Sequence, residues 1–149
     1  MYAWVDEFTV EALPGLVDEL AKAEVMVMRS FQRVPNPAMV GQLAAHRQIA
    51  LVGGRDFNQL VSRIETATTT LRIGVVAVLP PGVEAVAALR GPGVVDVIPA
   101  GFQGAARRVL LMSSVPIVSG AKAGLAPRPQ EPVLGPPGAR GAARAVAVA

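Results

Sequence analysis

Apolar stretches alternate with helix-forming stretches along most of the chain. Continuous apolar runs begin near residues 25, 48, 73, 94 and 109, and the first gaps exceed 20 residues and contain helical periodicity. Parallel strands need crossovers of about a dozen residues or more, and strands that are covered on both faces are apolar throughout. The pattern therefore predicts an α/β fold, a single small domain with a mostly parallel sheet flanked by helices.

An α+β fold is the alternative. In a ferredoxin-like sandwich the strands at 25–34 and 48–53 would pair antiparallel, residues 36–46 would form a long loop, and helices would cover one face only. The two folds therefore differ in the direction of the second apolar run relative to the first.

Local signals mark where helices begin and end. The apolar stripe from Leu13 to Leu20 has the i, i+3, i+4, i+7 spacing of an amphipathic helix, which should end near Ala23. Asn36 followed by Pro37 predicts an N-cap and a first-turn proline for the next helix. The apolar run VLLM from residue 109 predicts a strand.

A glycine pair follows the apolar run QIALV and precedes a helical pattern. Gly53, Gly54 and Arg55 stand where some folds bind phosphate, but the spacing matches neither G-x-G-x-x-G nor a P-loop. Asp56, with a glutamine three residues later, predicts a capped helix start. We expect a structural strand–turn–helix joint, and we keep the pair and Arg55 as weak candidates for cofactor binding.

The last 26 residues differ from the rest. Residues 124–149 contain five Pro, four Gly and seven Ala, a composition that buries too little apolar surface to offset the entropy lost on ordering. We therefore predict a compact domain over residues 1–123 and an extended, basic C-terminal arm over residues 124–149.

Charge is unevenly distributed along the chain. The net charge is +3, but residues 1–24 carry −5 and residues 100–149 carry +5. An acidic start and a basic end can attract each other within or between chains. The candidate interaction residues are therefore basic: Arg107, Arg108, Arg128, Arg140 and Arg144.

Composition excludes several kinds of site. The chain has no cysteine, which excludes disulfides and thiolate chemistry, and its one histidine, His46, excludes multi-histidine zinc sites. A triad would need His46 beside Ser113, Ser114 or Ser119, but no G-x-S-x-G motif is present. The acidic pair Asp6–Glu7 sits where solvated carboxylates are ordinary. We assign no catalytic residue, metal or cofactor.

The sequence contains few signals for cellular location or for nucleic-acid binding. The N-terminal residues lack a signal-peptide pattern and no apolar run approaches a membrane span, so we expect a cytoplasmic protein or part of a soluble assembly. A nucleic-acid partner rests on Arg107–Arg108 alone, without the interleaved aromatic residues of single-strand binders.

Two segments resemble bacterial receiver domains. VPIVSGAK at 115–122 resembles their late strand and lysine, and IALVGGRDFNQLVSRI at 49–64 resembles their first strand and helix. Receivers end that first strand with an acidic pair, and here Gly53–Gly54 follows it. Their third strand ends in a phosphoacceptor aspartate, whereas Val94–Ile98 is followed by Pro99. The resemblance implies a degenerate, non-phosphorylated receiver that acts through protein contacts.

Three functions remain. The favoured one is a non-enzymatic assembly subunit that homo-oligomerises and uses its C-terminal arm to bind a neighbouring subunit or partner protein. The second is a regulatory module of receiver-like type. The third is an enzyme or nucleotide-binding protein that uses the Gly53–Gly54 turn.

Overall fold

A computed structural model describes residues 1–30, 34–84 and 86–114, all within one compact unit that spans Met1–Pro116. The strands are β1 Tyr2–Val5, β2 Met26–Arg29, β3 Gln48–Val52, β4 Gly74–Val78 and β5 Val94–Ile98. The helices are α1 Glu7–Ala12, α2 Leu16–Lys22, α3 Pro37–Gln42, α4 Phe57–Thr70, α5 Val86–Leu89 and α6 Ala105–Met112. The predicted arm lies outside the described residues.

The five strands form one sheet in the order β2-β1-β3-β4-β5, and every neighbouring pair is parallel. The predicted α/β fold is therefore confirmed. The ferredoxin-like alternative is wrong, because β2 and β3 both pair parallel with β1, and most of 36–46 contributes helix α3 and its C-terminal turn rather than a long loop. The order is the flavodoxin-like one of doubly wound sheets.

Helices cover both faces of the sheet and create two apolar layers. Helices α1, α2 and α6 pack on the face that includes Ala3 and Val5, whereas α3, α4 and α5 pack on the face that includes Trp4. The strands β3 and β4 are buried along their whole length, as their continuous apolar sequences predict.

A polar contact fixes α3 against the sheet. The Trp4 Nε1–H donates to Gln48 Oε1 at 2.9 Å, and Gln48 Nε2 donates to the carbonyl oxygens of Val40 and Leu43 at 3.0 Å each. Trp4 and Gln48 are both buried, so these bonds satisfy polar groups that would otherwise be costly to desolvate. The last turn of α3 is thereby joined to β1 and β3.

The first strand, β1, was not predicted from the sequence. It is a central strand of the sheet, since β2 pairs with one edge and β3 with the other. This strand changes the comparison with receiver domains: residues 48–52 form the third strand rather than the first, and Val94–Ile98 form the fifth rather than the third. The VPIVSGAK segment lies outside the described residues.

The predicted helix that ends near Ala23 is confirmed as α2, with Ala23 as its C-cap. It begins at Leu16 because Gly15, with φ +86°, separates it from α1, a helix that the sequence did not predict. The VLLM run is the second half of helix α6 and not a strand. By contrast, the predicted N-caps are confirmed: the Asn36 side chain accepts from Ala38 N, and the Asp56 side chain accepts from Gln59 N, each at 2.8 Å.

Candidate functional site

The candidate site lies where β1 and β3 end side by side. Chain connections leave in opposite directions from these two strands, and open α/β sheets bind ligands in the crevice that forms outside the carboxyl ends there. Asp6 follows β1, and Gly53, Gly54 and Arg55 follow β3. The sequence candidates for cofactor binding are therefore at the position where this topology would place a ligand.

Asp6 occupies the β1 side of this crevice. Its side chain is 1% exposed, and both carboxylate oxygens accept hydrogen bonds. Oδ1 accepts from the Thr9 backbone N–H at 2.8 Å, which caps α1, and Oδ2 accepts from the Gly53 N–H at 2.9 Å. The expectation that Asp6 is an ordinary solvated acid was wrong, because the carboxylate joins β1, α1 and the turn after β3.

Arg63, on the second turn of α4, provides the charge partner. Its guanidinium donates to Asp6 Oδ2 at 2.8 Å through one terminal nitrogen and to the Gly53 carbonyl at 2.8 Å through Nε. The guanidinium carbon also lies 5.3 Å from the centre of the Phe8 ring, within the range of a cation–π contact. With an exposed fraction of 11%, the Arg63 side chain is largely buried where it joins the two strand ends.

The glycine pair permits close packing. A Cβ on Gly53 would lie 2.8 Å from Phe8 Cβ, and a Cβ on Gly54 would lie 2.7 Å from the Leu60 backbone nitrogen. Both distances are shorter than real Cβ atoms show, so any larger residue would force the first turns of α1 and α4 away from the strand end. The glycine pair therefore forms the expected joint between strand β3 and helix α4.

The turn after the glycines is a capped helix start. Asp56 caps α4 through Gln59 N, and the Gln59 side chain in return accepts from the Arg55 N–H at 2.5 Å. The return bond goes to the residue before the N-cap, one position earlier than in a standard capping box. Arg55 is exposed, and the Asp56 carboxylate holds the position that an anion would take at the helix start.

The residues of a possible triad make other contacts. His46 is exposed beyond the end of α3, with its ring 5.3 Å from the Tyr2 ring in an edge-to-face arrangement. The Ser113 hydroxyl donates to the Leu110 carbonyl at 2.7 Å, and the Ser114 hydroxyl accepts from Arg47 at 3.2 Å. Ser119 lies outside the described residues. Nothing in these contacts brings histidine and serine together.

The two arginines of α6 have different environments. Arg108 forms a bidentate pair with the Asp96 carboxylate, through Nε at 2.9 Å and through a terminal nitrogen, and lies 5.0 Å from the Phe102 ring centre. Arg107 is exposed. Of the predicted interaction residues, Arg107 is thus exposed, whereas Arg108 is partly exposed and paired with a buried carboxylate. Arg128, Arg140 and Arg144 lie outside the described residues.

A small cleft lies between the corner that joins α1 to α2 and the loop that joins β5 to α6. It has a volume of about 200 Å³. The Gly101 N–H donates to the Ala12 carbonyl at 2.8 Å and holds the two walls together at its base. Buried Leu13, Leu16 and Ala105 line its floor, and exposed Pro14, Glu19 and Gln103 lie on its rim, with half-buried Phe102 in the wall.

Comparison with known proteins gives no relative: no family model, no curated protein and no solved structure matches the chain. Within residues 1–30, 34–84 and 86–114, no three His, Asp or Glu side chains lie close enough together to hold a metal ion. In the same residues no helix is both long and apolar enough to cross a membrane.

Proposed function

We propose that the chain is a non-enzymatic assembly subunit, whose α/β domain homo-oligomerises and whose C-terminal arm binds a neighbouring subunit. The observation that carries the proposal is the ion pair at the strand ends. Where this topology usually holds a ligand, Asp6, Arg63 and Gly53 bind one another. These mutual contacts support a role for the outer surface of the domain.

Charge supports the role of the arm. The exposed acids Glu11, Asp18, Glu19 and Glu24 lie on or beside α1 and α2. The sequence beyond residue 114 contains four basic residues and one acidic residue. Opposite charges on the two ends of one chain favour head-to-tail contacts between copies and speed their encounter.

The proposal is tested by comparing the mass of the full chain in solution with that of a chain ending at Lys122. All described residues are retained in the shorter chain. We expect the full chain to sediment as a multiple of its 15.4 kDa mass and the shorter chain to form smaller species. A monomer in both cases would overturn the proposal.

The competing enzymatic function makes a different prediction. If Gly53, Gly54 and Arg55 bound a nucleotide or phosphate, millimolar ligand would raise the melting temperature, because a ligand that binds only the native state stabilises it. We expect ATP, NAD and inorganic phosphate to leave the melting temperature unchanged. A concentration-dependent rise with any of the three, lost in Arg55→Ala, would favour a ligand-binding function.

A regulatory module of receiver-like type is the second candidate, and the corrected strand assignment favours it in two respects. The strand order is one that receivers share, and the acidic pair Asp6–Glu7 directly follows β1. The third strand, however, is followed by Gly53 instead of a phosphoacceptor aspartate. Under this function the arm is only a linker, and the chain ending at Lys122 would keep all partner binding.

A further inference from the structure

We propose that the cleft between the α1–α2 corner and the β5–α6 loop binds the Pro127-Arg128-Pro129 segment of a second copy's arm. The inference rests on the proposed assembly function and identifies the surface that receives the arm. Three properties of the cleft and the segment support it: the size of the cleft, the aromatic side chain in its lining and the charge at its rim.

The size of the cleft suits a peptide side chain rather than a cofactor. Small-molecule pockets typically enclose about 300–1,000 Å³, whereas this cleft encloses about 200 Å³. That volume accommodates one or two side chains of an extended segment that lies across the rim. Most of the surface contacted by such a segment would be the exposed rim formed by Pro14, Glu19 and Gln103.

The aromatic side chain of the lining suits proline. Phe102 is half-buried in the lining, whereas Leu13 and Leu16 are almost fully buried and polar atoms contribute more of the lining surface than carbon does. Proline-rich segments bind grooves lined by aromatic side chains, because their extended conformation is already restricted and little entropy is lost on binding. Residues 127–129 form the one place in the sequence where an arginine has proline on both sides.

The charge on the rim suits arginine. Glu19 is exposed and lines the cleft, and α1 and α2 also carry the exposed acids Glu11 and Asp18 against one exposed base, Lys22. An arginine between two prolines would place its guanidinium beside the Glu19 carboxylate while a proline contacts Phe102. A pair of this kind at the edge of an interface sets register and partner choice.

The chain is long enough for a contact between copies. Twelve residues lie between Ser114, the last described residue, and Pro127. An extended chain of this length reaches about 40 Å. A domain of this size has a radius of gyration of about 13 Å. The segment can therefore extend from one domain to a cleft on its neighbour.

A charge exchange in the full chain tests the contact. Glu19→Arg and Arg128→Glu should each weaken self-association by about tenfold, measured by sedimentation over a range of protein concentrations. An equimolar mixture of the two variants should recover it, because each cleft then meets an arm of opposite charge. Matched controls are Glu65→Arg and Arg72→Glu, at exposed positions on and just after α4, on the other face of the sheet. They make the same charge changes away from the cleft, the acidic helices and the arm, and should leave self-association within about twofold of the unsubstituted chain.

Each other outcome has a definite meaning. If the unsubstituted chain oligomerises and the two cleft variants behave like their controls, the cleft assignment is wrong while the assembly function stands. If the unsubstituted chain is a monomer at every concentration, both are wrong. A chain that carries both Glu19→Arg and Arg128→Glu tests whether the contact forms within one chain. If this double variant associates normally but the mixture of the two single variants does not, the contact is within one chain and the proposal is overturned.

Discussion

The side chains of Arg63 and Asp6 meet at 2.8 Å, although the two residues are 57 positions apart in the sequence. Asp6 also caps α1 and accepts from the Gly53 N–H, and Arg63 also donates to the Gly53 carbonyl. One buried ion pair therefore joins β1, α1, the turn after β3 and helix α4. Its removal would leave several polar groups unsatisfied at the same place.

We expect Arg63→Ala to lower the free energy of unfolding by about 3–5 kcal/mol, as the loss of one partner of a buried ion pair usually does. The main reason is that the Asp6 side chain, at 1% exposure, would remain buried without its guanidinium partner. Chemical denaturation monitored by circular dichroism measures the change, and the slope of the transition shows whether the unfolding remains two-state.

Arg55→Ala is the matched control for this prediction. Arg55 is an exposed arginine in the turn after β3, and its backbone N–H donates to Gln59, a bond that the substitution retains. Its stability should stay within about 0.5 kcal/mol of the unsubstituted protein. Equal stability of the two variants would show that the buried pair does not hold the strand ends together.

Alanine at two glycines should have opposite effects. Gly53→Ala places a Cβ 2.8 Å from Phe8 Cβ, and the resulting overpacking should destabilise the fold by about 1–3 kcal/mol. Gly41→Ala, in helix α3, meets nothing within 4 Å and should stabilise it by about 0.5–1 kcal/mol through helix propensity. Thermal and chemical denaturation of both variants measure the two effects, and a neutral Gly53→Ala would contradict the close packing at the strand end.

The sequence predicted those features that depend on neighbouring residues. The caps at Asn36 and Asp56 are such features, because the bonds of each cap join residues two or three positions apart. The buried strands β3 and β4 were predicted for the related reason that strands buried on both faces are almost continuously apolar. The exception is Gln48 at the start of β3, whose polar atoms are hydrogen-bonded. The strand order depends on pairing between distant segments. The sequence therefore predicted a mostly parallel sheet but not the order of its strands.

The features that were missed depend on contacts between distant residues or on short elements. Strand β1 has four residues, too few for a periodic pattern, and acidic residues follow it directly. The end of α6 was mistaken for a strand because its apolar run is continuous, although Val109 is fully buried and Leu111 is 61% exposed. Nothing in the local sequence marks Arg63 as the partner of Asp6.

Alanine substitutions of the two arginines of α6 should differ in their effect on stability. Arg108→Ala removes both bonds to the Asp96 carboxylate, which is 4% exposed, and should lower the free energy of unfolding by about 1–3 kcal/mol. Arg107→Ala removes an exposed side chain and should leave the stability within about 0.5 kcal/mol. Denaturation titrations of the two variants test this contrast. If both variants lose the same free energy of unfolding, the ion pair between Arg108 and Asp96 does not stabilise the fold.

Glu24 has a backbone conformation that favours glycine. Its φ is +62°, in the left-handed region, directly after the C-cap of α2. The Val25 N–H donates to the Leu20 carbonyl at 3.0 Å, and the Glu24 N–H donates to the Ala21 carbonyl at 3.0 Å. These are the two bonds of a Schellman motif, in which the residue at this position is usually glycine because it has no Cβ.

We expect Glu24→Gly to raise the free energy of unfolding by about 0.5–1 kcal/mol, since relief of the left-handed strain exceeds the added flexibility of the unfolded chain. Glu24→Ala is the control: it also removes the carboxylate from the negative end of the helix, but it keeps a Cβ in the strained conformation. Thermal denaturation should therefore give a higher melting temperature for Glu24→Gly than for Glu24→Ala. If the two variants melt together above the unsubstituted protein, the gain comes from removal of the charge, and the strain at residue 24 contributes nothing measurable.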